Sequence, residues 1–252
     1  RRMALVGALC TGASLVTAAA GPAPGADPKG TGTGDEAILF LDLLTVTGAS
    51  QFEQSTAEAP SSVSIITADD IARYGYRTIA EILSSVRGFY STYDRNYTYL
   101  GARGFNRPGD YNTRILLLVD GHRINDNVFD SIEVGTESIG AMEIIDRVEV
   151  IRGPGSSLYG SNAFFAVVNV ITKKGRALSG TEVGLSGGSY GTVSTIASWG
   201  SRTPSGLEAL VTASTYHSGG QDLYFEEFDK PGSTDGWARG IDADRKENFL
   251  GK

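Results

Sequence analysis

The sequence predicts an α+β domain that is followed by a run of antiparallel β-strands, and two observations predict this order. Between about residues 62 and 175, two capped helical segments lie among short β-branched segments that end in turn-forming residues. After Gly180 the helical signals stop, and apolar and polar residues alternate along segments of about ten residues.

A Thr-x-x-acid sequence, which caps a helix N-terminus, occurs twice, at 67–70 and at 78–81. We expect the first helix to end at Gly75 and the second just before Gly88. The second helix has apolar residues at spacings of three and four, which predicts one buried face made of Ile79, Ile82, Leu83 and Val86.

Three apolar segments of this region predict strands, at 115–119, 147–151 and 167–171. Each is followed by Gly, Pro, Asp or Lys residues that favour a turn. Together with the helices, they predict a small mixed α+β domain that spans about residues 42–175.

Alternation predicts three more strands, at 182–186, 193–199 and 207–213, joined by Gly-rich or Pro-containing turns at 187–191 and 203–206. Alternating segments of this length are the weak sequence signature of a transmembrane β-barrel. A half-solvated antiparallel sheet has almost the same pattern, so both architectures stay open on this observation alone.

The N-terminal 41 residues have a different composition. Residues 1–20 combine Arg1-Arg2, a mostly apolar stretch and a terminal Ala-Ala-Ala, which predicts a secretory signal peptide that would be removed together with Cys10. Residues 21–41 begin with a segment rich in Pro, Gly and Thr that predicts a flexible linker.

Composition excludes several classes of function. There are 22 Lys+Arg against 29 Asp+Glu, a net charge of −7, which argues against a nucleic-acid partner. One Cys and two His exclude the common zinc sites, so we expect neither a metal nor another cofactor. Residues 187–191 satisfy the G-x-S-x-G pattern of hydrolases, but no helix follows the Ser, and we expect no catalytic residues.

Six motifs resemble, in order, those of the plug domain of TonB-dependent outer-membrane receptors. Two departures from the family pattern are Arg87, where Pro is common, and Ala166, where Gly is usual. The motifs lie at residues 59–71, 103–105, 116–121, 145–154, 158–160 and 168–173.

The resemblance implies a fold class: an α+β plug domain at 42–175, followed at 180–252 by antiparallel strands of an incomplete transmembrane β-barrel. Barrels of plugged outer-membrane transporters have about 22 strands. Residues 180–252 supply only a few spanning strands of 9 to 11 residues, so we expect the chain to be a fragment of a receptor.

The resemblance also implies a TonB box, a short segment before the plug that binds the TonB protein by β-strand addition. An ordinary edge strand of the plug is the alternative. The candidate residues follow the linker and alternate with β-branched side chains: Leu43, Leu44, Thr45, Val46 and Thr47.

By the same resemblance, polar and aromatic loops of the plug contact the ligand, whereas solvated loop tips or contacts with the barrel wall are the alternative. Arg103 and Arg152 are expected to pair with acidic residues of the barrel and thereby to seat the plug. The candidate ligand-binding residues are Tyr93, Arg95, Tyr97, Arg107, Tyr111, Asn125 and Asp126.

These features predict a receptor in the outer membrane of a Gram-negative bacterium, embedded in lipid through the complete barrel, that takes up a scarce nutrient complex with energy from TonB. A ferric siderophore is the first expectation for the ligand and cobalamin the second. The alternative from another class is a secreted or periplasmic binding module with a plug-like domain.

Overall fold

The computed structural model describes residues 45–46, 54–55, 62–107, 109–230, 232 and 234–252. The signal peptide predicted at 1–20 and the linker predicted at 21–41 therefore lie outside the described residues. The chain divides into two compact units, and the boundary lies between Ala177 and Leu178.

The first unit contains a five-stranded mixed sheet of order β3-β8-β9-β6-β7 and two separate strand pairs, β1-β2 and β4-β5. In the main sheet only β6 and β9 are parallel neighbours. The strands are β1 (Thr45–Val46), β2 (Gln54–Ser55), β3 (Ser62–Thr67), β4 (Phe89–Tyr93), β5 (Thr98–Ala102), β6 (Ile115–Val119), β7 (His122–Arg123), β8 (Ile145–Arg152) and β9 (Ala166–Thr172).

Two helices follow β3, as the capping sequences predict. Helix α1 (Ala68–Tyr74) has a complete capping box between Thr67 and Asp70, and it ends at Gly75 in the left-handed conformation. The Thr67 side chain and backbone donate hydrogen bonds to the Asp70 carboxylate, which lowers the pKa of that group.

Helix α2 (Ile79–Ser84) ends earlier than Gly88, the end expected from the sequence. Ser84 and Ser85 account for the difference, because their hydroxyls donate to the carbonyls of Ala80 and Ile82 and so compete with helix continuation. The predicted apolar face is nevertheless buried in full: Ile79, Ile82, Leu83 and Val86.

Further along the chain, a 3-10 turn at Met142–Ile144 precedes β8, and two one-turn helices, α3 (Ser156–Tyr159) and α4 (Gly175–Leu178), flank β9. The core of the unit lies on the central strands β6, β8 and β9, which are buried along most of their length. The strands predicted at 115–119, 147–151 and 167–171 are thus confirmed, the last two being slightly longer.

The second unit contains a four-stranded antiparallel sheet of order β10-β11-β12-β15 and a separate hairpin, β13-β14. β13 begins three residues after β12 ends, and β15 begins three residues after β14 ends. The strands β12 and β13 therefore form one arm of a long hairpin, and β14 and β15 form the other arm. The strands are β10 (Gly180–Gly187), β11 (Val193–Arg202), β12 (Glu208–Ser218), β13 (Gln221–Lys230), β14 (Thr234–Ile241) and β15 (Asp244–Gly251).

The three strands predicted after Gly180 are confirmed, and so are the turns between them, closed by backbone hydrogen bonds from Gly188 to Thr192 and from Gly206 to Thr203. The hairpin β13-β14 was not predicted. Among the described strands, β10 and β15 each pair on one side within the four-stranded sheet, so this sheet is open.

The four-stranded sheet exposes its apolar side. Val183 and Leu185 of β10 are each 66% exposed, and Phe249 of β15 is 75% exposed. The opposite face of β11 and β12 is buried and carries hydroxyl side chains such as Ser198 and Thr212, which are hydrogen-bonded to each other, together with Ile196 and Leu210. Most large apolar side chains of this sheet are thus exposed, whereas a half-solvated sheet buries its apolar face.

No helix in the described part of the chain is both long enough and apolar enough to cross a membrane.

Candidate functional site

Part of the predicted TonB box is described. Thr45 and Val46 form β1, which pairs in antiparallel register with Gln54 and Ser55 of β2. Leu43, Leu44 and Thr47 lie outside the described residues. A two-residue strand with one paired edge still has a second edge that an added strand can pair with.

Three tyrosines meet at the turn of the β4-β5 hairpin, two of them close in sequence and the third more than ten residues further along the chain. The ring of Tyr97 lies 5.1 Å from that of Tyr99 and 5.0 Å from that of Tyr111, between centroids. We call Tyr97, Tyr99 and Tyr111 the tyrosine cluster. The sequence predicted that Tyr93, Arg95 and Tyr97 lie in a loop, but Tyr93 ends β4, and only the four-residue turn 94–97 separates β4 from β5.

Members of the tyrosine cluster differ in accessibility. Tyr99 is buried, Tyr97 is half-buried, and Tyr111 is exposed. The Tyr97 hydroxyl donates to the backbone carbonyl of Ile132. Burial, together with the negative charges of Glu133 and Glu137, raises the pKa of Tyr97.

Asn112 holds the tyrosine cluster in place, a role that the sequence analysis missed. Its buried amide accepts a hydrogen bond from Leu100 N (2.7 Å) and donates to the carbonyls of Thr98 (2.9 Å) and Ile132 (3.1 Å). Asn112 and Tyr111 both have positive φ, 60° and 47°. An Asn beside Tyr-rich turns is the signal that could have indicated it, because Asn tolerates this conformation.

The remaining aromatic and basic candidates lie near the same hairpin. Tyr93 is 53% exposed and lies at the end of β4. Arg95 is exposed and has a φ of 75° in the turn, in which the Asp94 carboxylate accepts from the backbone N–H groups of Asn96 and Tyr97. These two hydrogen bonds lower the pKa of Asp94. Arg107 is exposed in the loop between β5 and β6.

The last two ligand candidates have structural contacts. Asn125 is 4% exposed. Its side-chain oxygen accepts a hydrogen bond from Leu117 N, and its side-chain nitrogen donates to Ile115 O and Asp130 O, so the Asn125 amide is fully used within the plug. Asp126 is exposed, and one carboxylate oxygen accepts from Val128 N (2.8 Å) and Phe129 N (2.7 Å). These hydrogen bonds, that of Phe129 first, lower the pKa of Asp126.

Arg103 and Arg152, the predicted seating residues, line one cavity of about 170 Å³. We call it the arginine cavity. Arg87, a position at which the sequence departs from the family pattern, lines it as well. The other lining residues are Ser62, Gly88, Phe89, Ala102 and Phe165.

Hydrogen bonds fix the wall of the arginine cavity. Arg152 donates from Nη1 to the carbonyl of Arg87 (3.0 Å) and from Nη2 to the hydroxyl of Ser62. The backbone N–H of Arg103 donates to Gly88 O (2.7 Å). Within the described residues no carboxylate forms an ion pair with Arg87, Arg103 or Arg152.

Among the residues that the structure describes, no group of three or more His, Cys, Asp or Glu side chains is arranged to hold a metal ion.

Residues 55–167 match the family model described as the TonB-dependent receptor plug domain. The match covers α1, α2 and the strands from β3 to β8, which carry both the tyrosine cluster and the arginine cavity. An α+β plug domain followed by antiparallel barrel-type strands defines the class of outer-membrane receptors with a plug. Residues 55–167 therefore belong to the TonB-dependent receptor plug domain family.

Curated relatives agree with this assignment. The chain is 36% identical over 155 residues to the vitamin B12 transporter BtuB of Vibrio vulnificus, which covers 59% of the chain and 23% of that protein. It is 35% identical over 137 residues to the iron-regulated outer membrane virulence protein of Vibrio cholerae, covering 53% of the chain and 20% of that protein. The chain thus spans between a fifth and a quarter of the length of these relatives.

Solved structures show the same fold. The ferripyoverdine receptor of the Pseudomonas aeruginosa outer membrane aligns with a TM-score of 0.56 at 22% identity, over 70% of this chain and 23% of that one. The siderophore receptor PirA of the same species aligns with a TM-score of 0.50 at 23% identity, over 77% of this chain and 30% of that one. These structures confirm the predicted fold class, and the curated relatives agree with the predicted outer-membrane location.

Proposed function

We propose that the chain is the ligand-gating part of an outer-membrane receptor that takes up a scarce nutrient complex with energy supplied by TonB. The observation that carries this proposal is the plug domain, matched over residues 55–167. The strands that follow it expose an apolar face, which fits strands that contact lipid.

The proposed ligand surface surrounds the tyrosine cluster. Tyr93 and Tyr111 expose large parts of their rings, and Arg95 and Arg107 are exposed beside them in sequence. Tyr side chains offer rigid amphipathic contact area, and Arg pairs with anionic groups. The hydroxyl of Tyr97 anchors this surface by its hydrogen bond to the carbonyl of Ile132. Asp126 contributes a carboxylate oxygen from the loop that precedes Ile132. Asn125 is left out because its amide is occupied.

A ferric siderophore is the ligand that we propose first, because its anionic and aromatic groups complement exposed Tyr and Arg side chains. Cobalamin is the second candidate, and a specific observation favours it: the vitamin B12 transporter of Vibrio vulnificus is 36% identical over 155 residues. Both ligands are taken up as preformed metal complexes, and no bond of the ligand is made or broken.

Energy enters at residues 43–47, the proposed TonB box. The strand of Thr45 and Val46 supports this assignment, because an extended segment with an unpaired edge is what β-strand addition requires. We propose that Arg103 and Arg152 seat the plug by pairing with carboxylates of the barrel. The arginine cavity brings these side chains together, and the described residues supply no carboxylate that pairs with them.

The test uses the complete receptor in its native membrane. Val46→Pro removes a backbone donor from the TonB box, so we expect energised uptake to be lost while the affinity for the ligand is unchanged. Titration of ferric siderophores and of cobalamin identifies the ligand class, and Tyr111→Ala should weaken binding by about tenfold or more. Unchanged uptake by Val46→Pro, or binding of neither ligand class, would contradict the proposal.

A further inference from the structure

Ser62 lies where the chain enters the main sheet of the plug. It is the first residue of β3, an edge strand that pairs only with β8 among the described strands. In the register of this pair, Ser62 stands directly opposite Arg152, the last residue of β8. The Ser62 hydroxyl accepts a hydrogen bond from Nη2 of Arg152.

Arg152 therefore joins three segments of the plug. Through its own backbone it belongs to β8, through Nη2 it holds the start of β3, and through Nη1 it holds the carbonyl of Arg87 after α2. Nε of Arg152 is a buried donor that has no partner among the described atoms. A guanidinium has five N–H donors and these two bonds use one on each Nη atom, so Arg152 keeps a second N–H on each Nη for a carboxylate.

We propose that the Ser62–Arg152 hydrogen bond transmits a pull on the N-terminal segment to the arginine cavity. This inference rests on the proposed function, because the pull is that of TonB on residues 43–47. β3 is the first strand of the main sheet after that segment, so Ser62 is the first residue of the sheet to carry the load. When Ser62 moves, Arg152 loses one of the two bonds that orient its guanidinium, and the seating ion pair weakens.

In this relay, Ser62 and Arg152 are positioning residues and contact no ligand. The same strand supplies a matched control. Ser64 lies two residues further along β3, on the same face as Ser62 and opposite Val150 in the register. Its hydroxyl forms no side-chain hydrogen bond with any residue in the described ranges. Replacing Ser64 by Ala therefore removes a hydroxyl oxygen from β3, as Ser62→Ala does, but leaves the hydrogen bonds of Arg152 unchanged.

The experiment applies a constant force to the N-terminus of the complete receptor, held in a lipid bilayer, and measures the lifetime before the first extension. Ser62→Ala is expected to shorten this lifetime by about tenfold, the effect of losing one hydrogen bond to a charged donor. Ser62→Thr keeps the hydroxyl and should retain the lifetime of the unchanged protein. Ser64→Ala should also leave it unchanged, and ligand affinity should be equal in all variants.

An unchanged lifetime in Ser62→Ala would overturn the inference, and so would equal shortening in Ser62→Ala and Ser64→Ala, because that result would show a general weakening of β3. Val46→Pro separates this outcome from a failure of the proposed function. If Val46→Pro abolishes uptake and Ser62→Ala behaves like the unchanged protein, TonB coupling stands and the relay through Ser62 is wrong.

Discussion

The two large sheets of this chain differ in how far they expose their apolar side chains. In the plug, β6 is a continuous apolar strand whose Leu117 is fully buried. In the second unit, β10 and β11 alternate, and most of their large apolar residues, such as Leu185 and Trp199, are exposed, whereas Ile196 is buried. Both sheets contain β-branched residues, so the difference lies in which face of the sheet is exposed.

This difference is the one that two solvents, water and lipid, would produce. An α+β domain in water buries its apolar strands between helices and sheet, and the plug does so with the buried face of α2 and the strands β6, β8 and β9. A sheet that meets lipid turns its apolar residues outward and its polar residues inward. Contact with lipid would therefore explain why the β10-β11-β12-β15 sheet exposes its apolar side.

The largest expected effect is in the plug core. Leu117→Ala should destabilise the plug by about 2–5 kcal/mol, because it leaves a cavity at a fully buried site. Leu185→Ala, on the exposed face of β10, should cost about 0.5 kcal/mol, since no cavity forms. Hydrogen exchange of the β6 amides in the complete receptor measures the first effect. Equal protection of the β6 amides in Leu117→Ala and Leu185→Ala would contradict the difference in burial between the two sheets.

A second prediction concerns the lipid-facing side. Val183→Arg places a charge among the exposed apolar residues and should lower the stability of the inserted protein by about 2–4 kcal/mol at the bilayer midplane. Glu182→Arg is the matched control, because residue 182 is the neighbour on the other face of β10 and is already charged. Denaturant titration in lipid vesicles compares the two variants, and a larger loss for Glu182→Arg would reverse the assigned faces.

The smallest effect is expected in the plug loops and depends on pH. The pKa of Asp126 is lowered by its hydrogen bonds to Phe129 and Val128, so the turn is stabilised above the ordinary Asp pKa of about 3.9. This stabilisation is lost as the pH falls through the lower pKa of the folded state. A chemical-shift titration of the Val128 and Phe129 amides should have its midpoint below about 3.9 and should be flat in Asp126→Asn. A midpoint at or above that value would contradict the assigned hydrogen bonds.

Local signals predicted the helices and most of the strands. The capping residues Thr67 and Thr78 predicted both helix starts, because a cap acts within one turn of the chain. The end of α2 could not be predicted, since Ser84 and Ser85 compete for helix carbonyls through side-chain geometry. The β4-β5 hairpin was hidden by Tyr, Asp and Asn residues that also occur in irregular loops.

The site was predicted in composition but not in arrangement. Tyr97 and Tyr111 were identified from residue type, whereas their meeting depends on Asn112, whose three hydrogen bonds connect residues far apart in sequence. The role of Asn125 was beyond sequence reasoning for the same reason, because burial of a polar side chain follows from long-range packing. The resemblance to the family singled out Arg103 and Arg152, and the structure adds Arg87 to their cavity.

The central claim is that the strands after Gly180 meet lipid with their apolar face, and spin labels along β11 test it most directly. Single spin labels are placed at residues 193–202 of the complete receptor in lipid. At each position the accessibility of the label to oxygen, which concentrates in the bilayer, is compared with its accessibility to a polar nickel complex, which stays in water. We predict a period of two, with oxygen contact highest at Thr195, Ala197 and Trp199. Highest oxygen contact at residues 194, 196 and 198, or no alternation along the strand, would contradict the account.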